Sequence, residues 1–148
     1  MSFFEGPLTV PRALVVAPDV VVGDYRSLDD LRAFAADCDA LTFDHEHVPN
    51  EHIAALAAGG VQVHPGAEAL VYAQNKASMR RRLSEIDVPV PRWADLTHSE
   101  LDAFAAEVGW PLVLKTQTGG YDGKGVWVVA DRAEADDVLR LGVPLLAE

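Results

Sequence analysis

Short β-branched runs that alternate with amphipathic helical segments constrain the fold of this chain more than any other feature. Four such runs, each bounded by Pro, Asp or Gly as buried strands are, lie at 14–17, 20–23, 40–43 and 61–63. Helical spacing of apolar residues follows Ser27 and Asn50, which we expect to act as N-caps, and Gly59-Gly60 would end the second helix. This alternation predicts an α/β fold with a parallel sheet covered on both faces.

Pro65-Gly66 marks a boundary, and a second unit begins at Thr97. Residues 67–86 are predicted to be mainly helical, with an apolar stripe of Met79, Leu83 and Ile86, and the prolines of 88–93 predict an extended connector. Thr97 with Glu100 and Asp131 with Glu134 have the spacing of helix caps. Strands are predicted at 112–117, 126–130 and 143–148.

Composition excludes several functional classes. With 12 basic and 23 acidic residues the formal charge is −11, and a general nucleic-acid binder would instead show a basic face. No apolar run approaches the roughly 18 residues of a membrane span, so we expect no membrane insertion. A single cysteine, Cys38, favours a reduced, cytoplasmic location.

The segment LVLKTQTGGYDGKGVWVV joins two apolar strands by a loop that contains Gly119, Gly120, Gly123 and Gly125. Glycine tolerates positive φ and lets backbone N–H groups approach an anion closely. Two of the three lysines of the chain lie beside or within this loop, and an ammonium is a compact charge suited to phosphate. A plain hairpin is the alternative, although a turn needs only one or two glycines.

The loop does not match two familiar phosphate-binding motifs. Counting back from Lys124, a Walker A loop would need glycine at Thr118 and Ser or Thr at Gly125. A dinucleotide fingerprint would lead into a helix, whereas a strand follows here. We therefore expect a flap, formed by a strand, a glycine loop and a strand, that covers a triphosphate.

The segment TFDHEHVPN, residues 42–50, is the second unusual one. If 42–47 are extended, Asp44 and Glu46 lie on one face, and His45 and His47 lie on the other. Three interpretations stay open: a metal site of these histidines with His52, acids placed for a ligand at the carboxyl end of a parallel strand, or histidines that only cap the loop.

Three segments carry a family resemblance: TGGYDGKG preceded by VLK, QNK some forty residues upstream, and TFDHEHVP before that. Taken together, they closely resemble the N5-carboxyaminoimidazole ribonucleotide synthetases, which are ATP-grasp enzymes of purine biosynthesis. The resemblance covers about 14–148. It implies a partial parallel-sheet, Rossmann-like pre-ATP-grasp domain followed by the N-terminal part of an ATP-grasp domain. The expected divisions are an unmatched segment 1–13, the pre-ATP-grasp part 14–66, linker helices and connector 67–96, and the incomplete ATP-grasp small lobe 97–148.

The resemblance also implies site residues. Phosphate-binding lysines and an adenine-facing hinge residue would be Lys76, Lys115 and Glu148, and the flap would be Gly120, Tyr121, Asp122, Gly123, Lys124, Gly125 and Val126. Tyr121 and Asp122 would also lie near the aminoimidazole substrate and bicarbonate and act in catalysis, and Asp44 and Glu46 would bind the substrate's amine or ribose. No metal ligand is expected within this chain.

The implied reaction uses ATP to phosphorylate bicarbonate, and the resulting carboxyphosphate carboxylates the amine of 5-aminoimidazole ribonucleotide. ATP and Mg²⁺ are the implied cofactors, and a homodimer is the implied assembly. The family's first strand with its GGGQLG-type turn and its metal-binding C-terminal part have no counterpart here, so we expect a fragment that does not turn over alone. Another ATP-grasp carboxylase, a formyl-transferring relative and a non-catalytic nucleotide-binding remnant are the alternatives.

Overall fold

The computed structural model describes residues 2–5, 19–97, 100–120 and 123–148. These residues divide into two compact units, Met1–Leu70 and Val71–Glu148. The predicted strand at 14–17 lies outside the described residues. The four-part domain division stays a prediction.

The described residues of the first unit form two pairs of parallel strands and two complete helices. Its elements are β1 (Ser2–Glu5), β2 (Asp19–Val22), α1 (Leu28–Ala35), β3 (Leu41–Thr42), α2 (Asn50–Ala58) and β4 (Val63–His64). β1 pairs with β2 and β3 pairs with β4, both in parallel. Parallel pairing and strand–helix alternation confirm the predicted α/β class, and β4 begins where the predicted run 61–63 ends.

Local capping explains where α1 begins, but it does not explain α2. The Ser27 hydroxyl accepts a hydrogen bond from the Asp30 backbone N–H, as predicted. Asn50 is not a cap, because α2 begins at Asn50 itself and Pro49 precedes it without a side-chain cap. Gly60, at φ +91°, follows the end of α2, as the glycine pair predicted.

The core of the first unit lies between these helices and the β3–β4 pair. Its buried side chains come from α1, β3, α2 and β4 together with the segments beside them, and they include Leu31, Phe34, Leu41, Val48, Ile53, Leu56, Val63 and Leu70. The apolar face of α1 is therefore the one that the helical spacing predicts, and so are Ile53 and Leu56 of α2, whereas Ala57, which the spacing also places on that face, is exposed.

The second unit is built on a four-stranded antiparallel sheet. Helix α3 (Ala67–Gln74) spans the division between the units, and the remaining elements are α4 (Lys76–Glu85), β5 (Ala94–Asp95), α5 (Leu101–Val108), β6 (Leu112–Thr116), β7 (Val126–Val129), α6 (Arg132–Leu139) and β8 (Leu145–Ala147). The strand order is β5-β8-β6-β7. One face of this sheet packs against α5 and α6 through Leu101, Phe104, Leu112, Leu114, Val129, Ala135, Val138 and Leu145.

Two predictions for the second unit are wrong. The stretch 67–86 is mainly helical, as predicted, and forms two helices because Asn75 interrupts it and caps α4 by accepting from the Ser78 N–H. Ile86, however, was assigned to the apolar stripe and is exposed. Thr97 does not cap α5, because its hydroxyl donates to Asp95 Oδ1 at 2.6 Å.

The cap of α6 is confirmed. The Asp131 carboxylate accepts from the Glu134 N–H at 3.0 Å, and the Glu134 carboxylate accepts from the Ala130 N–H at 2.8 Å. The three strands predicted at 112–117, 126–130 and 143–148 are likewise present as β6, β7 and β8.

Candidate functional site

The glycine loop connects two antiparallel strands, as predicted. β6 and β7 pair from Leu112 with Val129 to Lys115 with Val126, and the Thr116 N–H donates to the Gly125 carbonyl at 2.9 Å. The four loop glycines have φ values between +68° and +85°. Residues other than glycine rarely adopt this backbone conformation, which explains why the loop is rich in glycine.

Two of these glycines are also required by close packing. A Cβ at Gly120 would lie 2.8 Å from the Lys124 carbonyl oxygen, and one at Gly125 would lie 2.6 Å from Thr116 Oγ1. Thr116 Oγ1 is buried and has no hydrogen-bond partner among the residues that the structure describes. The base of the loop is therefore packed around Thr116: a side chain at Gly120 would displace the Lys124 carbonyl, and one at Gly125 would displace the Thr116 side chain.

Lys76 lies directly against the loop. Its backbone N–H donates to the Gln117 carbonyl at 2.8 Å, and its ammonium donates to the Gly119 carbonyl at 2.6 Å. Asn75 and Thr118 form an isolated β-bridge beside these contacts. The start of α4 and the start of the loop thus form one hydrogen-bonded structure, with a cation at the loop.

Lys115, on β6 just before the loop, pairs with a carboxylate. Its ammonium lies 2.5 Å from Glu148 Oε2, and Arg80 Nε lies 2.7 Å from Glu148 Oε1. The Glu148 backbone exchanges hydrogen bonds with Val113 at 2.7 and 2.9 Å, which fixes its position beside β6. Burial alone would raise the pKa of Glu148, but the hydrogen bonds from Lys115 and Arg80 outweigh it and hold this pKa below its ordinary value.

The other predicted loop residues differ in exposure. Lys124 and Gly123 are exposed, Gly125 is half-buried, and Val126 is an exposed residue of β7. Tyr121 and Asp122 lie outside the described residues. Lys76, Lys115, Glu148 and the described part of the loop all belong to the second unit.

Three residues of this region were not predicted from the sequence. Arg80 follows Lys76 by four residues on α4, so both share a helix face, and this spacing was the available signal. Gln117 is buried and donates to Asp95 Oδ1 at 2.6 Å and to Thr97 Oγ1 at 2.8 Å. Thr116 and Gln117 carry no sequence signal, because only their tertiary neighbours give them a role.

The acidic-histidine segment belongs to the first unit and is not extended as predicted. β3 ends at Thr42 and the chain bends at 44–46, so the expected alternation of faces does not hold. Asp44 is exposed and, with His45, lines a cavity of about 340 Å³ together with Tyr25, Phe34 and Cys38. Glu46 is half-buried and is not among the residues that line this cavity. Asp44 nevertheless follows the carboxyl end of a parallel strand, where ligands of open α/β sheets bind.

The histidines of this segment contact one another. The His47 N–H donates to His45 Nδ1 at 3.1 Å, and the two rings lie 5.3 Å apart, with Tyr25 5.0 Å from His45. Within the described ranges, His, Cys, Asp and Glu form no group of three or more that could hold a metal ion. None of the helices in the described part of the chain has the length and apolarity needed to cross a membrane.

Comparison with known proteins agrees with this geometry. Residues 7–74 match the ribonucleotide synthetase pre-ATP-grasp domain, and residues 81–146 match the ATP-grasp domain. The N5-carboxyaminoimidazole ribonucleotide synthase of Mycobacterium tuberculosis is 49% identical over 141 residues, which are 92% of this chain and 33% of that protein. The chain therefore spans about a third of the length of such relatives.

Solved structures agree as well. The N5-carboxyaminoimidazole synthetase of Staphylococcus aureus complexed with ADP has a TM-score of 0.88 over 99% of this chain and 40% of its own, and at 21% identity it shows the shared fold. The carboxyaminoimidazole ribonucleotide synthase of Aspergillus clavatus complexed with ATP is 28% identical, with a TM-score of 0.82 over 97% of this chain and 39% of its own.

Proposed function

This chain belongs to the N5-carboxyaminoimidazole ribonucleotide synthetase family, and from this premise we propose that it supplies the ATP-binding wall of such an enzyme. The single observation that carries the proposal is the arrangement around the β6–β7 loop. A loop with four left-handed glycines is hydrogen-bonded to one lysine, and a second lysine leads directly into it. Backbone N–H groups and ammonium groups are the donors that polyphosphates prefer.

The residues of this region suit ATP on chemical grounds. The four glycines carry no Cβ, which leaves the loop backbone at those positions open to close approach by phosphate oxygens. We assign Lys76 and Lys115 to the phosphates, Gly120 to Val126 to the covering loop, and Glu148 to the segment that faces adenine. Tyr121 and Asp122 are assigned to the aminoimidazole substrate and bicarbonate, and Asp44 and Glu46 to the amine or ribose of that substrate.

The proposed reaction has two steps. A bicarbonate oxygen attacks the γ-phosphorus of ATP, the bond to ADP breaks, and carboxyphosphate forms. The exocyclic amine of 5-aminoimidazole ribonucleotide then attacks the carboxyl carbon, phosphate leaves with the bonding electron pair, and the amine loses a proton. Carboxyphosphate is labile in water, so a loop that closes over the phosphates protects the intermediate.

The described residues contain no group of three or more His, Cys, Asp and Glu side chains that could hold a metal ion by themselves. We therefore assign Mg²⁺ to the part of the family's length that this chain does not span, and no step here depends on it. A cytoplasmic location is proposed from the free thiol of Cys38. The homodimer implied by the resemblance stays a prediction.

Calorimetric titration with ATP tests the proposal, because binding can be measured whether or not the chain turns over. Lys115→Ala removes a charge-assisted contact worth about 2 kcal/mol, so we expect ATP to bind more than about tenfold more weakly. The control is Arg82→Ala, which removes an exposed cation that pairs with Glu85 within α4. Equal weakening by both substitutions would contradict the assignment.

A further inference from the structure

Arg80 takes no part in the assigned site, yet it shares the carboxylate that pairs with Lys115. Arg80 Nε and the Lys115 ammonium contact different oxygens of Glu148, at 2.7 and 2.5 Å. The side chains of Arg80, Lys115 and Glu148 are 18%, 24% and 9% exposed. They form a partly desolvated cluster, where electrostatic interactions are stronger than at a fully exposed surface.

The charges of this cluster do not cancel. The side chains of Arg80, Lys115 and Glu148 supply two cations and one carboxylate, so their formal charges sum to +1. Lys115 alone with Glu148 would form a neutral pair, and a neutral pair attracts a polyphosphate weakly. An ammonium has three donors and the contact with Glu148 uses one, so Lys115 can bind a phosphate oxygen while Glu148 holds it in place.

We propose that Arg80 is a positioning residue of the phosphate site, an inference that rests on the proposed function. Arg80 shares the Glu148 carboxylate with Lys115, so that Glu148 orients the Lys115 ammonium without neutralising its charge. The placement of α4 supports this role. Lys76 at its start contacts the glycine loop, and Arg80 one turn later contacts Glu148. One face of α4 therefore carries Lys76 itself and the arginine that shares a carboxylate with Lys115.

A purely structural role for Arg80, as a tie between α4 and the end of β8, is the rival interpretation. The two roles differ in what they predict for a phosphate probe and for a nucleoside. Loss of a structural contact weakens the binding of both probes, whereas loss of a positioning charge weakens the binding of the phosphate probe alone. Inorganic tripolyphosphate and adenosine are therefore titrated separately, alongside ATP and a thermal unfolding curve for each variant.

Arg80→Gln reduces the cluster to a formal charge of 0, and we expect tripolyphosphate to bind about tenfold more weakly, with adenosine within about twofold of wild type. Arg80→Lys keeps the charge and should stay within about threefold for tripolyphosphate. Arg82→Gln makes the same substitution at an exposed position of α4 and should leave both affinities within about twofold.

The double variant Arg80→Gln, Glu148→Gln gives the sharpest comparison, because its cluster returns to +1 with Lys115 unpaired. We expect it to recover most of the tripolyphosphate affinity that Arg80→Gln loses. The proposal is overturned if Arg80→Gln leaves tripolyphosphate binding unchanged, if Arg80→Lys weakens it equally, or if the double variant binds no better than Arg80→Gln. The proposal is also overturned if the Arg80→Gln variant is unfolded and the double variant does not restore folding. Failure of the wild type to bind ATP and tripolyphosphate would instead overturn the proposed function, and this inference with it.

Discussion

Glu148 is subject to opposing influences on its ionisation, and the balance between them decides how the site is charged. Burial raises its pKa, since a carboxylate loses hydration away from water, while Lys115 and Arg80 donate hydrogen bonds that lower it. The hydrogen bonds outweigh the burial, so Glu148 is ionised when the chain is folded at neutral pH. The two cations that lower its pKa lie 33 and 68 residues away in sequence.

A pH dependence of stability follows from this lowered pKa. Below the ordinary value of 4.5 the unfolded chain takes up a proton at Glu148 before the folded chain does, so the free energy of unfolding falls as pH decreases through the folded pKa. Urea unfolding at a series of pH values should therefore show a steeper acid loss for wild type than for Glu148→Gln. Parallel curves for the two proteins would show that Glu148 contributes no such linkage.

At the scale of elements, the β6–β7 hairpin combines regular strand pairing with a loop in which glycine is required for different physical reasons at different positions. Gly119 and Gly120 both have positive φ, at +68° and +85°. Of the two, Gly120 is the crowded one: a Cβ there would lie 2.8 Å from the Lys124 carbonyl, whereas no atom of the described residues lies within 4 Å of a Cβ at Gly119. A side chain would therefore meet an unfavourable left-handed backbone conformation at both positions, and a steric conflict in addition at Gly120.

This difference predicts unequal effects of alanine in the loop. Gly119→Ala should cost about 1–2 kcal/mol, the usual cost of a left-handed residue with a side chain. Gly120→Ala should cost more and should weaken ATP binding further, because the Lys124 carbonyl must move. Chemical denaturation and ATP titration of both variants provide the measurement, and equal losses would contradict the predicted steric role of Gly120.

Helix caps show which local patterns predict structure and which do not. Ser27 and Asp131 cap their helices as predicted, because each hydrogen bond joins residues three apart in the chain. Thr97 has the same kind of spacing from Glu100, but its hydroxyl is engaged by Asp95 and by Gln117, which is twenty residues away. A contact that distant in sequence cannot be inferred from capping rules.

At the scale of the whole molecule, each compact unit has its own apolar core. Ile53 in the first unit and Leu114 in the second are fully buried, whereas Leu141 is exposed. Cores of this kind are close-packed, so removing buried methyl groups leaves a cavity as well as losing burial.

Ile53→Ala and Leu114→Ala should each lower the free energy of unfolding of their own unit by about 2–5 kcal/mol. Leu141→Ala makes a comparable truncation at an exposed position and should change stability by less than about 0.5 kcal/mol. Urea unfolding followed by hydrogen exchange in each unit measures these losses. Losses at Leu141 as large as those at Leu114 would show that the assigned core is wrong.

By itself, the sequence determined the α/β class, most strands and helices, and the glycine loop between two strands with lysines beside it. These features depend on periodicity and backbone preference, which act over a few residues. Only the tertiary structure decided that Arg80 shares Glu148 with Lys115, that Thr97 contacts Gln117 rather than capping a helix, and that the segment after β3 bends. Such contacts join distant parts of the chain, and their energies depend on burial and on which partners folding brings within hydrogen-bond distance.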